Sequence, residues 1–261
     1  MAIGDKIEDR SHIVGFKEEI SAASADEDRF FTWFDAAQDA RTAFINGAWD
    51  FSYHIALPAI RHLSHPESQV ALEIGVGGGR LLAAASRHFG RALGVDIHEN
   101  LHLTRQKLHA MGCTNTEVMK SDGTSIPVDA GSVDFVYSFI VFNHLEKRAI
   151  AADYLREAHR ALRPGGLAVL YCGRFAPFSQ NRRGAWRVWL DRLAELAYVP
   201  RGWKELPARV NCTNLLFTLP HFRRMARDAG FDVLDHVVSR KKVPNGVNTY
   251  GMQHGLVLRK R

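Results

Sequence analysis

Five residues carry the most sharply spaced chemistry in this chain: Glu73, Gly75, Gly77, Gly79 and Asp96. Val70 to Ile74 reads as a short strand interrupted by Glu73, and four of the next five residues are glycine. Leu81 to Phe89 then reads as a helix, and Ala92 to Asp96 as a second strand ending in a carboxylate. One βαβ unit with a glycine-rich first turn and an acidic residue about 20 positions on forms a nucleoside-binding crevice. The glycines let backbone approach a ligand and take positive φ. Asp96 can accept hydrogen bonds from both hydroxyls of a ribose.

A dinucleotide fingerprint would need a glycine at position 80, where Arg80 stands. The pattern Glu73-x-Gly75-x-Gly77-x-Gly79 fits without a gap and closely resembles the first motif of the class I methyltransferases, which use S-adenosylmethionine. The resemblance implies that the glycines lie under the amino-acid and ribose portions of that cofactor. It also implies an acidic residue on the adenine amino group after the third strand, Thr116 to Met119, where Ser121-Asp122-Gly123 stands. Ile97, Asp122, Gly123 and Ser138 therefore join the implied cofactor set. A helix, then Arg163-Pro164-Gly165-Gly166, then an apolar strand is common in the same family and foreign to dinucleotide dehydrogenases. The resemblance covers Val70 to Cys172 by motif and about the last forty residues by pattern.

In an open parallel sheet, ligands sit beyond the carboxyl ends of the strands. The loop Phe139 to Glu146, after a fourth strand at Ser132 to Phe139, should thus border a reacting methyl group. A hydroxyl acceptor would benefit from a general base, and His144 is the first candidate, with Glu146, His54 and His254 behind it. Trp49 and Tyr53 could present aromatic faces to a sulfonium cation. No constellation of carboxylates has metal-ligand spacing, so no metal is expected.

The elements that must hold these residues give an α/β class: a doubly wound, seven-stranded, mostly parallel sheet with an antiparallel last strand. Residues 1–65 are expected to form an N-terminal helical cover. Within it, one helical stripe runs from Phe30 to Arg41 behind the acidic Asp26-Glu27-Asp28, and a second piece from Trp49 to Leu63. Residues 66–261 form the Rossmann-like domain. Lys147 to Leu162 is a helix, Leu167 to Cys172 the fifth strand, and Phe231 to Ser239 and Met252 to Arg259 the last two, turned at Asn245-Gly246. Residues 173–219 interrupt the pattern with Arg182, Arg183, Trp186, Arg187 and Trp189. This insertion is expected to form an acceptor pocket or lid.

The 261 residues, 46% of them hydrophobic, are enough for one full core. No apolar run approaches the ~18 residues of a membrane span, and no secretory leader is legible. Cys113, Cys172 and Cys212 show no Cys-x-x-Cys spacing. A reduced, cytoplasmic enzyme acting on a small molecule or sugar hydroxyl is expected, with no membrane partner and the oligomeric state open. The net charge of +6 keeps nucleic acid open as a partner, and with it an RNA or protein methyltransferase. No Asn/Asp-Pro-Pro-Tyr/Phe signature follows strand four, where Ser138-Phe139-Ile140-Val141 stands. A nicotinamide oxidoreductase would explain Gly75, Gly77 and Asp96 but neither Asp122 nor Arg163 to Gly166. A binding protein that keeps the cofactor site without turnover is the remaining alternative.

Overall fold

The computed structural model describes residues 15–242 and 248–261. Its strands are β1 Val70–Ile74, β2 Arg91–Asp96, β3 Thr116–Lys120, β4 Val133–Ser138, β5 Leu162–Gly173, β6 Trp203–Glu205, β7 Leu215–Phe217, β8 Phe231–Lys242 and β9 Asn248–Lys260. Seven make one sheet in the order β3-β2-β1-β4-β5-β9-β8, and β6 pairs with β7 in a separate two-stranded sheet. β1 to β5 are parallel. β9 runs antiparallel to both of its neighbours, so the last strand lies between β5 and β8. The Asn245-Gly246 turn lies outside the described residues.

Alternation along the strands builds two cores. Ala71, Phe135, Tyr137, Val169 and Tyr171 face one way, and Leu72, Ile74, Val136, Leu170 and Cys172 the other. The first face is covered by α3 Ala40–Asp50 and α5 Arg80–Ala85, the second by α7 Arg148–Ala161 and α9 Leu219–Asp228. Helix α6, Leu101–Ala110, leans on β3.

The N-terminal stripe is broken where a single helix was expected. α1 is Phe16–Ala23 and α2 is Glu27–Trp33, capped by the Asp26 carboxylate accepting from the Arg29 N–H at 2.7 Å. Asp39 caps α3 in the same way, accepting from Thr42 N–H at 2.7 Å, so 34–39 is a connection. A π-helical turn, Phe51–Ala56, follows α3 and leads into α4, Leu57–Ala59. Pro58 accounts for part of this widening: it has no N–H to offer the carbonyl four residues back, and its ring crowds that position. The freed carbonyl of His54 instead accepts from the Tyr171 hydroxyl at 2.8 Å.

Strand five begins earlier than its apolar run. Val133 pairs with Leu162, and Phe135 with Leu167, so Arg163-Pro164-Gly165-Gly166 bulges out of the ladder. Arg163 fastens the bulge by donating to the Asp134 carboxylate at 2.8 Å.

Candidate active site

The turn after β1 is drawn against β2 by two bonds to one acceptor. The N–H groups of Gly75 and Val76 both donate to the Val95 carbonyl, at 2.8 and 3.0 Å. Gly75 and Gly77 have φ of 82° and 49°, which disfavour any side chain. Space is equally restrictive, since a Cβ on Gly77 would lie 2.7 Å from the Phe34 ring and one on Gly75 would collide with Val141.

Two carboxylates flank this turn. Asp96 Oδ2 accepts from the Gly77 N–H at 2.7 Å, and its Oδ1 from the Ile97 N–H at 2.7 Å. Each oxygen keeps a further lone pair for a ligand hydroxyl. Glu73 is buried and accepts from the Tyr137 hydroxyl at 3.1 Å. Burial pushes its carboxyl well above the usual range, against the opposing Tyr137 bond and Arg80 charge. An acid this hard to ionise gains most from a cation arriving beside it.

A cleft of about 930 Å³, counted to its open mouth, connects these groups. Glu73, Gly75, Gly77, Asp96, Ile97 and His144 all line it. Its cover is aromatic, from Phe16, Trp33 and Phe34. The strand-four loop enters through Ile140, a β-branched residue at φ 62°, a sparsely populated conformation. The insertion reaches the cleft through Asn211.

His144 has a defined tautomer. Its Nδ1 lies 2.6 Å from the Cys212 carbonyl, which can only accept, so Nδ1 carries the proton and Nε2 the lone pair. Burial holds its pKa below the usual histidine value, opposed by the Cys212 bond. The other histidines considered stand outside the cleft lining. His54 stacks 4.3 Å from Phe139 and accepts from the Arg240 N–H at 3.0 Å. His254 is bound to Glu195 at 3.2 Å, outside the cleft lining.

Gly79, Asp122, Gly123, Ser138, Trp49 and Tyr53 also stand outside that lining. Gly79 precedes α5 at φ 84°, where a Cβ would meet Thr104 at 2.9 Å. Asp122 is exposed and folds into its own turn, its Oδ1 accepting from the N–H groups of Thr124 and Ser125 at 2.8 and 2.7 Å. Burial works against ionisation there, but these bonds outweigh it and bring the carboxyl to about 2. Gly123 donates to Ser121 Oγ at 3.0 Å, and it is Ser121 that faces the cleft. Ser138 is buried, its hydroxyl donating to the Ile74 carbonyl at 2.9 Å. Trp49 and Tyr53 stack on each other 5.1 Å apart and border neighbouring cavities. The aromatic cover thus comes from α1, the end of α2 and the first residue of the connection, while α3 reaches the cleft only through the Asp50 pair with Arg80.

Arg80 is the residue that spacing alone misses. It is buried at the start of α5, with Nη1 2.5 Å from Asp50 Oδ2 and 3.4 Å from Asp35 Oδ1. Its presence in place of a motif glycine was the one signal available.

The site suits a cationic adenosyl donor: a side-chain-free cradle, a carboxylate for ribose, and a buried carboxyl short of a positive charge. A family model described as a methyltransferase domain matches residues 72–170. Malonyl-acyl-carrier-protein O-methyltransferase of Methylococcus capsulatus is 31% identical over 135 residues, 50% of this chain and 46% of that protein. A tRNA (carboxymethyluridine(34)-5-O)-methyltransferase of Mus musculus is 30% identical over 108 residues, 41% of this chain and 15% of that one. The chain therefore spans less than half the length of these curated relatives. A SAM-dependent methyltransferase structure from Aquifex aeolicus shares the fold at 17% identity and TM-score 0.54, covering 81% of this chain and 93% of its own. Among the described residues, no helix is long and apolar enough to cross a membrane, and no group of histidine, cysteine and carboxylate side chains could hold a metal. Residues 72–170 thus carry a methyltransferase domain, set in the fold of the S-adenosylmethionine-dependent methyltransferases, and these findings indicate S-adenosylmethionine as the cofactor.

Proposed function

We infer that this chain transfers a methyl group to an oxygen of a small molecule, with a hydroxyl as the acceptor and His144 as the base that takes its proton. The observation that carries this reading is the Cys212 carbonyl 2.6 Å from His144 Nδ1, which leaves Nε2 as the lone-pair nitrogen of a cleft-lining residue, with the Asn143 amide nitrogen at 3.5 Å as its long, displaceable partner. The cofactor, once bound, supplies a methyl group already activated on a sulfonium. The chain's own work is to hold and orient. Asp96 takes the ribose hydroxyls, Glu73 the cationic amino-acid end, and the Phe34 cover excludes water. The helices between Phe16 and Leu63 act as that cover, and the 206–214 stretch of the insertion as the support for His144.

The relatives' printed names support oxygen as the methylated atom, and the malonyl and carboxymethyl groups they name raise a second reading, a carboxylate acceptor. A carboxylate is ionised already and needs no base. The test separates the two. His144→Gln should lower turnover on a hydroxyl acceptor by about 10²–10⁴-fold with donor affinity unchanged. Full turnover by the variant, with carboxylic acids as the productive acceptors, would replace the first reading by the second.

A further inference from the structure

Helix α8, Ala185–Tyr198, is turned inside out. Its two acids face the protein. Asp191 is paired with the buried Arg174 at 2.9 Å and accepts from the Phe178 N–H at 2.8 Å. Glu195 accepts from His254, whose Nδ1 lies 3.1 Å from His236. These inward bonds fix the helix rotation, and they put its large apolar residues outside. Trp186, Trp189, Leu193 and Leu196 are 58%, 59%, 47% and 72% exposed. At 3.6 residues per turn they share roughly a quarter of the circumference.

The next clue is charge. From Phe178 to Lys204 the acids, Asp191 and Glu195, are both buried, while Arg182, Arg183, Arg192 and Arg201 are exposed. Across a groove from Trp189 and Val188 lies Leu57, itself 55% exposed, with Ile60 one turn on at 62%. An apolar ridge with two tryptophans, rimmed by arginines and free of exposed acids, has the make-up of a helix lying in a lipid interface. A second copy of this chain fits less well, because a two-fold contact would press the arginines against their own copies.

We propose that the outer face of α8, with Leu57 and Ile60 beside it, docks on an anionic lipid bilayer surface. The tryptophans and leucines enter the interface and the arginines meet the headgroups. This departs from the expectation of no membrane partner, which rested on the lack of a spanning run; surface docking needs no such run.

Cosedimentation of the full chain with vesicles of phosphatidylglycerol and phosphatidylcholine in equal parts tests this. Binding should weaken from about 0.05 to 0.5 M NaCl, as charges become screened. It should fall at least about tenfold in the Trp186→Gln/Leu193→Gln and Arg182→Gln/Arg183→Gln double variants. Both keep the inward bonds of α8, so circular dichroism and cofactor binding should match the parent chain. Three results would overturn the proposal: no pelleting with anionic vesicles at low salt, undiminished pelleting of both variants, or a parent-chain dimer that Trp186→Gln/Leu193→Gln dissociates. None depends on whether the acceptor is a hydroxyl.

Discussion

Asp96 Oδ2 holds the backbone N–H of Gly77 at 2.7 Å, so the carboxylate ending strand two is bonded directly to the glycine turn that follows strand one. Ligand carboxylate and ligand cradle are therefore one unit, and a change in either should disturb both. Asp96→Ala is expected to weaken S-adenosylmethionine binding more than tenfold, about 1.4 kcal/mol or above. Isothermal calorimetry measures it, and an unchanged affinity would remove Asp96 from the site.

Glu73 offers the opposite trade. Burial raises its pKa, so the folded chain keeps a proton that the unfolded chain releases above its ordinary value near 4.5. Stability is consequently lost as pH rises through that window. Glu73→Gln keeps an acceptor for the Tyr137 hydroxyl and removes the titration. It should raise the melting temperature at pH 7 while weakening the cationic cofactor's binding. A variant that melts lower and binds as well would contradict both halves.

Arg80 should be the costliest residue near the cleft to lose. Its side chain pairs with Asp50 at 2.5 Å, and Asp35 lies 3.4 Å away. Arg80→Met would leave the part-buried Asp50 beside Asp35 with only His54 Nδ1, at 3.3 Å, as a partner, a loss of roughly 2–4 kcal/mol. Urea denaturation reads this directly. A loss below about 1 kcal/mol would mean the two acids find protons or water instead.

The acid limb of stability should follow the histidines around β8. Burial, with His254 and nearby arginines, brings His236 down to about 3, and burial with Arg148 and Arg224 brings His221 to about 4. Both stay neutral in the fold while their unfolded counterparts charge near 6.5. Stability should therefore fall as pH drops from 6.5 toward 3. In His236→Gln the melting temperature should fall less steeply across that range. An identical slope would show that His236 is already charged in the fold.

The local text of the chain was enough to place β1, the glycine turn, β2 and Asp96, because strand, turn and strand ends follow from contiguous patterns of apolar, glycine and acidic residues. It also placed His144 in a loop beyond strand four, since parallel strands present their carboxyl ends to a common crevice. It could not say that Asp122 would spend one oxygen on its own turn, or that Trp49 and Tyr53 would stack on each other away from Gly77. The Asp122 turn is local, closed within three residues, whereas the place of Trp49 and Tyr53 depends on where Asp39 restarts a helix and where Pro58 frees a carbonyl for Tyr171, partners more than a hundred residues apart. Nor could it orient α8. By periodicity alone, Trp186, Trp189 and Leu193 belong inside. Only the assembled protein, with Arg174 just past the end of β5 and His254 on β9, draws Asp191 and Glu195 inward and turns the tryptophans out.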